Sequence, residues 1–149
     1  MTDIKMKSYR PFITEKFFWD FPTHFNLKEV SEFLDEDIDP TTQYISNTAK
    51  TIMRNDGIYW LIQRKHTSQI VALISLSDLD LTKHQAALMI TFKNLSADEK
   101  LEISNRLLVF LKDQISLQTI EINQLDHIVQ ENFTNNGYNI SHNNLLKRS

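Results

Sequence analysis

Apolar residues recur along this chain with two kinds of spacing, and their order sets out the elements. Residues 9–14 read as a short strand running into an aromatic cluster of Phe17, Phe18, Trp19, Phe21 and Phe25. Asn26 caps a short helix through Leu34, after which Asp35, Glu36, Asp37 and Asp39 form an acidic turn leading to Pro40. The pattern then predicts a second helix with Asp39 as N-cap and Pro40 at its first position, where a missing N–H costs nothing. Its apolar face is Ile45, Ala49, Ile52 and Met53, and it stops at Asn55-Asp56-Gly57, with Gly57 available for a positive φ. Runs 58–63, 70–76 and 86–92 are rich in β-formers and joined by short polar connections, which predicts an antiparallel meander. The middle run, Ile70-Val71-Ala72-Leu73-Ile74, is continuously apolar and so predicts burial on both faces.

Ser96 and Glu99 form a capping box at the start of the longest helix, expected to reach about Ile115. Leu101, Leu108, Leu111 and Ile115 give that helix one stripe, widened by Leu107 and Phe110 into a core-facing band. A strand over 117–122 follows, with Ile120 and Ile122 on one face and Glu121 on the other. Asp126 is the expected N-cap of a helix carrying Ile128, Val129 and Phe133, which Asn136-Gly137 ends. A last short strand is expected near 138–140, and the polar tail from Ser141 is expected to be only loosely attached. Strand, two helices, three antiparallel strands, helix, strand, helix and a final strand make an α/β sandwich around a mixed sheet.

Composition narrows the function classes. The chain has 149 residues, a length that points to one domain, and a hydrophobic content of 41% that supports a packed core. Sixteen Lys and Arg against 19 Asp and Glu leave a net charge of -3, so no basic field gathers phosphates and nucleic acid is not an expected partner. There is no cysteine, which removes thiolate chemistry and fits the cytoplasm. No apolar run approaches the roughly 18 residues that cross a bilayer, so no membrane partner and no secretion are expected. Only 2 glycines are present, where average usage near 7% gives roughly 10, and this weighs against any Gly-rich loop.

The candidate chemistry is sparse. His24, His66, His84, His127 and His142 are scattered with no metal-ligand spacing, and no G-x-S-x-G elbow exposes a nucleophile. The acidic turn around Asp37 has the composition of helix caps and, as a second reading, of a surface for a cationic amine. The aromatic cluster is chiefly core or cover for the sheet. One or two of its rings remain available to line an apolar cleft or the contact of a homodimer.

Three patches, in this order and spacing, resemble the GNAT acyltransferase superfamily. Gln69-Ile70-Val71-Ala72-Leu73-Ile74-Ser75-Leu76-Ser77-Asp78-Leu79-Asp80 is similar to the family's third strand. Ala87-Leu88-Met89-Ile90-Thr91-Phe92 looks like the fourth, which lies along the pantetheine arm of acetyl-CoA. Leu117-Gln118-Thr119-Ile120-Glu121-Ile122, the helix from Asp126 and Asn136-Gly137-Tyr138 are similar to the fifth strand, its following helix and the terminal Gly-aromatic pair. The resemblance covers roughly residues 57–138. It implies one GNAT-like domain over 1–149, with a mixed, mostly antiparallel sheet and helices on both faces. It also implies an N-acetyltransferase type of activity with acetyl-CoA as cofactor and a small-molecule or peptide amine as acceptor. The cofactor would then lie along Ile90, Thr91 and Phe92, with Ser96 and Ala97 at its phosphates and Asp126 and Phe133 beside its thiol end.

The departures from the family are as informative. Its usual loop, Gln or Arg, two residues, Gly, any residue, Gly or Ala, lets backbone N–H groups converge on the pyrophosphate. Here residues 93–100, Lys93-Asn94-Leu95-Ser96-Ala97-Asp98-Glu99-Lys100, contain no glycine and are a few residues short. A pyrophosphate at this helix start would meet the carboxylates of Asp98 and Glu99, a repulsion on the order of a few kcal/mol at an effective dielectric of about 20. The family's Glu base falls on Met89, its Tyr on Phe133 and its helix-start Asn on Asp126, so no catalytic residue is assigned. Three readings stand: an acetyltransferase working by positioning, a degenerate module that kept the fold and lost the cofactor, and a protein binding another ligand in the same cleft. The state of the cap at Ser96 and Glu99 separates the first two.

Overall fold

The computed structural model describes residues 4–141 and 144–148; His142 lies outside them. The elements are strands β1 (Phe12–Ile13), β2 (Phe17–Asp20), β3 (Ile58–Arg64), β4 (Ile70–Asp80), β5 (Gln85–Phe92), β6 (Thr119–Ile122), β7 (Tyr138–Ser141) and β8 (Leu145–Arg148). Helices are α1 (Leu27–Leu34), α2 (Ile38–Met53), α3 (Ala97–Leu108), which a wider π-type turn extends through Gln114, and α4 (His127–Asn135). The strands form one eight-stranded sheet in the order β1-β2-β3-β4-β5-β6-β8-β7. Every neighbouring pair is antiparallel except β5 and β6.

Strand alternation divides the core between the two faces of the sheet. Trp60, Ile62, Ile74, Leu76, Leu88 and Ile120 join Ile103, Leu107, Phe110 and Phe133 in the larger cluster, which seats α3 and α4. On the opposite face Leu61 and Ile70 meet Val30 and Phe33 of α1, with Ile45 of α2 at the edge. The continuously apolar run in β4 is therefore buried on both faces, as its lack of alternation predicts.

Several local expectations are corrected. Only Phe12–Ile13 of the stretch 9–14 is strand, and Phe17–Asp20 is a strand of its own, because the aromatic run hides its alternation. Helix α2 starts two residues earlier than Asp39 suggests: Asp37 is the N-cap, and Pro40 sits at the third helical position, still within the turn that needs no N–H donor. The positive φ after α2 belongs to Asn55 (64°), whose side chain bonds Met6 N and Ile4 O, and not to Gly57. Gly57 is required for another reason, since a Cβ there would run into the Leu76 carbonyl oxygen. Leu101 is 40% exposed, and Ile103 and Ser104 take the inward face of α3 instead. Within the polar tail, Leu145–Arg148 is held as β8, between β6 and β7, with Leu146 fully buried, while residues 142, 143 and 149 lie outside the described residues.

Candidate functional site

The parallel pair of strands creates the site. β5 and β6 are in register only over Gln85–Leu88 and Thr119–Ile122. Beyond Leu88, residues Met89 to Phe92 continue to pair with β4 alone, while the chain after β6 turns away into α4. Lys93 N–H donates to Val71 O at 2.8 Å on the β4 side. Backbone alternation from that bond aims the N–H and C=O groups of Ile90 and Phe92 at the opening between the two strands. Ile90, Thr91 and Phe92 are thus brought together along one wall, with Met89 and Thr91 exposed on the α1/α2 face.

Ser96 and Ala97 lie where the same wall enters α3, and here Ser96 is already engaged through both its N–H and its hydroxyl. Ser96 Oγ accepts from Glu99 N–H at 3.2 Å, and Ser96 N–H donates to Glu99 Oε1 at 3.0 Å, completing the capping box. The Arg64 guanidinium, at the end of β3, donates to both Glu99 carboxylate oxygens and to Asn94 O at 2.6 Å. Its hydrogen bond, reinforced by Ser96 N–H, holds the Glu99 carboxyl below the usual carboxylate range. This revises the electrostatic expectation: of the two carboxylates at the helix start, Glu99 is neutralised by Arg64 and Asp98 remains exposed. A phosphate would compete with an internal anion already seated on the Ser96 N–H and on Arg64.

The starts of the two helices that follow these strands, α3 and α4, are joined by a second ion pair. Lys100 Nζ lies 2.9 Å from Asp126 Oδ2 and 5.7 Å from the centre of the Phe92 ring. Asp126 also caps α4 through Ile128 N–H at 2.8 Å. Burial pushes its pKa up, but the hydrogen bonds from Lys100 and Ile128 outweigh that and hold it below the ordinary value. Phe92, Lys100 and Asp126 therefore form one cluster linking the two walls. Phe133 is fully buried, 5.7 Å from the Tyr138 ring, and exposes no surface to a ligand.

At the paired end of the two strands, Asp78, Gln85, Ala87, Thr119, Glu121 and Leu145 line a cavity of about 180 Å³. The acidic turn has structural work: Asp35 adopts a left-handed cap (φ 55°) and lies 3.2 Å from Lys93 Nζ, and Asp37 starts α2. Two site residues escape the sequence reading, Arg64 and Lys100. Arg64 is 35 residues from its partner, and no local spacing marks it. Lys100 left a trace: a lysine in the first turn of a helix opposes the helix dipole and calls for an anionic partner.

No family model and no curated protein matches the sequence. Solved structures do match. An acetyltransferase described for ribosomal protein S5 alanine from Vibrio fischeri superposes with a TM-score of 0.67 at 10% identity, covering 89% of this chain and 84% of that one. N-acetyltransferase PseH of Campylobacter jejuni, in complex with acetyl coenzyme A, gives 0.62 at 13% identity over 89% of this chain and 99% of that one. The microcin C7 self-immunity acetyltransferase MccE, bound to acetyl-CoA and AMP, gives 0.63 at 12% identity over 91% and 93%. Element order, the parallel β5–β6 pair and these superpositions agree: the chain has the fold of the GNAT acetyltransferases.

Proposed function

We propose that this chain is a GNAT-fold binding module that no longer takes up acetyl-CoA through its phosphates. The observation that carries the reading is the closed start of α3, where Ser96, Glu99 and Arg64 satisfy one another in the place the fold reserves for a pyrophosphate. The Lys100–Asp126 pair across the opening supports it, because a pantetheine arm would have to displace a half-buried ion pair. Side chains point the same way: Met89 cannot accept a proton, and Phe133 carries no hydroxyl and is sealed in the core.

Thermal unfolding with and without millimolar acetyl-CoA tests this, with CoA and ADP as controls. The expected result is no shift. A ligand at about 100 times its dissociation constant stabilises by roughly 2.7 kcal/mol, which for a domain of this size is a rise of several degrees. A rise of that size specific to acetyl-CoA overturns the reading.

One observation favours a second reading, acetyl-CoA-dependent transfer to an amine. The N–H groups of Ile90 and Phe92 are aimed into the opening, where they would hold a thioester carbonyl by position and hydrogen bonding. In that case the exposed Glu121, one residue pair from the divergence, is the carboxylate placed to take the acceptor's proton. Acetyl transfer to any of a panel of amines, lost in Glu121→Gln, would establish it.

A further inference from the structure

The sheet's opposite edge carries a second feature that the fold does not require. Between the N-terminal segment, the turn after β2 and the last turns of α2 lies a cavity of about 240 Å³. Its floor is apolar, built from Phe21, Ala49, Ile52 and Met53, and its ionisable residues are Lys7, Arg10 and His24 with no carboxylate among the lining. An adjoining cavity of about 440 Å³ shares Lys7, Ile52 and Met53, adds Lys5 and again has no acidic lining residue. In a chain of net charge -3 this is a local inversion of sign.

Arg10 is held in place from behind. Asp20, only 2% exposed, accepts from Arg10 Nε at 2.6 Å and from Nη2 at 2.8 Å, and from Phe21 N–H at 2.7 Å. A guanidinium has five N–H donors, of which Asp20 takes two; the other three have no partner among the described residues. The buried carboxylate thus fixes the plane of the guanidinium and leaves Nη1 and one edge of Nη2 free. Because Asp20 balances the charge of Arg10, net attraction for an anion comes from Lys7. Arg10 supplies direction and Lys7 supplies charge.

We propose that this cavity binds a compact apolar carboxylate, its carboxyl group on the free N–H groups of Arg10 beside Lys7 and its apolar body over Phe21, Ala49 and Ile52. The volume lies below the roughly 300–1,000 Å³ of pockets that take drug-sized molecules, so the occupant is a single ring or a short branched chain. A free organic acid and the C-terminal residue of a peptide share this chemistry. The cavity is at the β1–β2 side of the sheet, away from β5 and β6, so the inference stands apart from the reading of the cofactor opening.

Amide chemical shifts of the intact chain, titrated with benzoate and hexanoate at constant ionic strength, test the proposal. Benzyl alcohol and hexanamide serve as uncharged controls. N-acetyl-glycyl-phenylalanine, with a free and with an amidated C-terminus, separates the two sources. The expected result is saturable binding of an acid, at least tenfold tighter than its uncharged control, with shifts at Arg10, Phe21 and residues 48–53. Binding confined to the free-ended peptide assigns the carboxylate to a chain terminus, and binding of the small acids assigns it to a free acid. Ala49→Phe, which fills the floor while keeping both Arg10 and Asp20, is expected to abolish binding, and Lys7→Gln to weaken it several-fold. Arg10→Gln strands Asp20 and is open to misfolding, so the decision rests on the other two variants. Equal binding of acid and uncharged control, shifts mapping elsewhere, no saturation at tens of millimolar, or full binding by Ala49→Phe overturns the proposal.

Discussion

Replacing Glu99 tests the closed start of α3 most directly, because two substitutions dissect its two jobs. Glu99→Gln keeps an acceptor for Ser96 N–H, since a glutamine completes a capping box as well as a glutamate does, and removes only the charge facing Arg64. The side chains of Arg64 and Glu99 are 23% and 13% exposed, so this pair is worth more than the typical surface bridge, about 1 kcal/mol. Glu99→Ala removes the reciprocal bond as well, for about 2 kcal/mol in all. At about 2–4 °C per kcal/mol the two variants should melt about 3 °C and about 6 °C below the parent. Ser96→Ala alone costs about 1 kcal/mol, and the double variant Ser96→Ala with Glu99→Ala should fall short of the sum by about 0.5 kcal/mol or more, because each single change already breaks the box. Since Arg64 holds the Glu99 carboxyl below its ordinary value of 4.5, the pair's contribution is complete above that pH. It fades as the pH falls through the lower folded value. Thermal melts followed by circular dichroism from neutral to acid pH should therefore show a constant gap between parent and Glu99→Gln down to about pH 5, narrowing below. A Glu99→Gln protein that melts with the parent at neutral pH, or a gap that persists undiminished in acid, refutes the assignment of Glu99 as the internal anion of this cap.

Gly57→Ala should lower the melting temperature by more than 5 °C, since its Cβ meets the Leu76 carbonyl in a β3–β4 contact that cannot yield, at a cost of about 2–4 kcal/mol. Phe133→Tyr puts a hydroxyl at a site with no exposure, so it should cost about 1–3 kcal/mol in urea unfolding and confer no transferase activity. Burial pushes Tyr44 and Tyr138 up to about 12, so titration of the phenolate absorbance should show two of the four tyrosines ionising near that pH. Both are neutral acids with raised folded values, hence their stabilisation is complete below an unfolded pKa of about 10 and is lost as the pH rises toward 12. Tyr138→Phe should flatten that alkaline loss while removing the hydrogen bond to Leu117 O, about 1 kcal/mol at neutral pH.

The legible parts of the fold were those whose signals are local. The meander of β3, β4 and β5 follows from β-formers and short connections, and the starts of α1, α3 and α4 follow from Asn26, Ser96 and Asp126, each of which caps through its side chain as its residue type predicts. What escaped depends on partners far along the chain. Strand β8, Leu145-Leu146-Lys147-Arg148, has only two leucines in a mostly polar tail, and becomes a strand because β6 and β7 leave a gap between them for it. β2 is hidden because Phe17, Phe18 and Trp19 are all aromatic: only the sheet distinguishes buried Phe17 and Trp19 from half-buried Phe18, which packs on Phe25.

The same division runs through the candidate site and accounts for its character. The wall made by Ile90, Thr91 and Phe92 could be placed from the strand pattern, and the missing glycines of residues 93–100 announced that the phosphate end would differ. A sequence can show that a loop lacks the residues for one ligand, but it cannot show what satisfies the helix start instead. Here Arg64 does so from the end of β3, a strand separated from β5 by β4, by reaching Glu99 and Asn94 O together. Lys100 does the equivalent for the opening, joining α3 to the cap of α4 through Asp126. Each contact fulfils an elementary requirement, a partner for a helix-start donor or for a half-buried charge. Together they put internal ion pairs at the starts of the two helices that follow β5 and β6. The strands still diverge because their register and the turn into α4 dictate it, independently of whether a ligand lies between them. Divergence therefore belongs to the fold, and the pairing of Glu99 with Arg64 and of Asp126 with Lys100 belongs to this chain's own side chains.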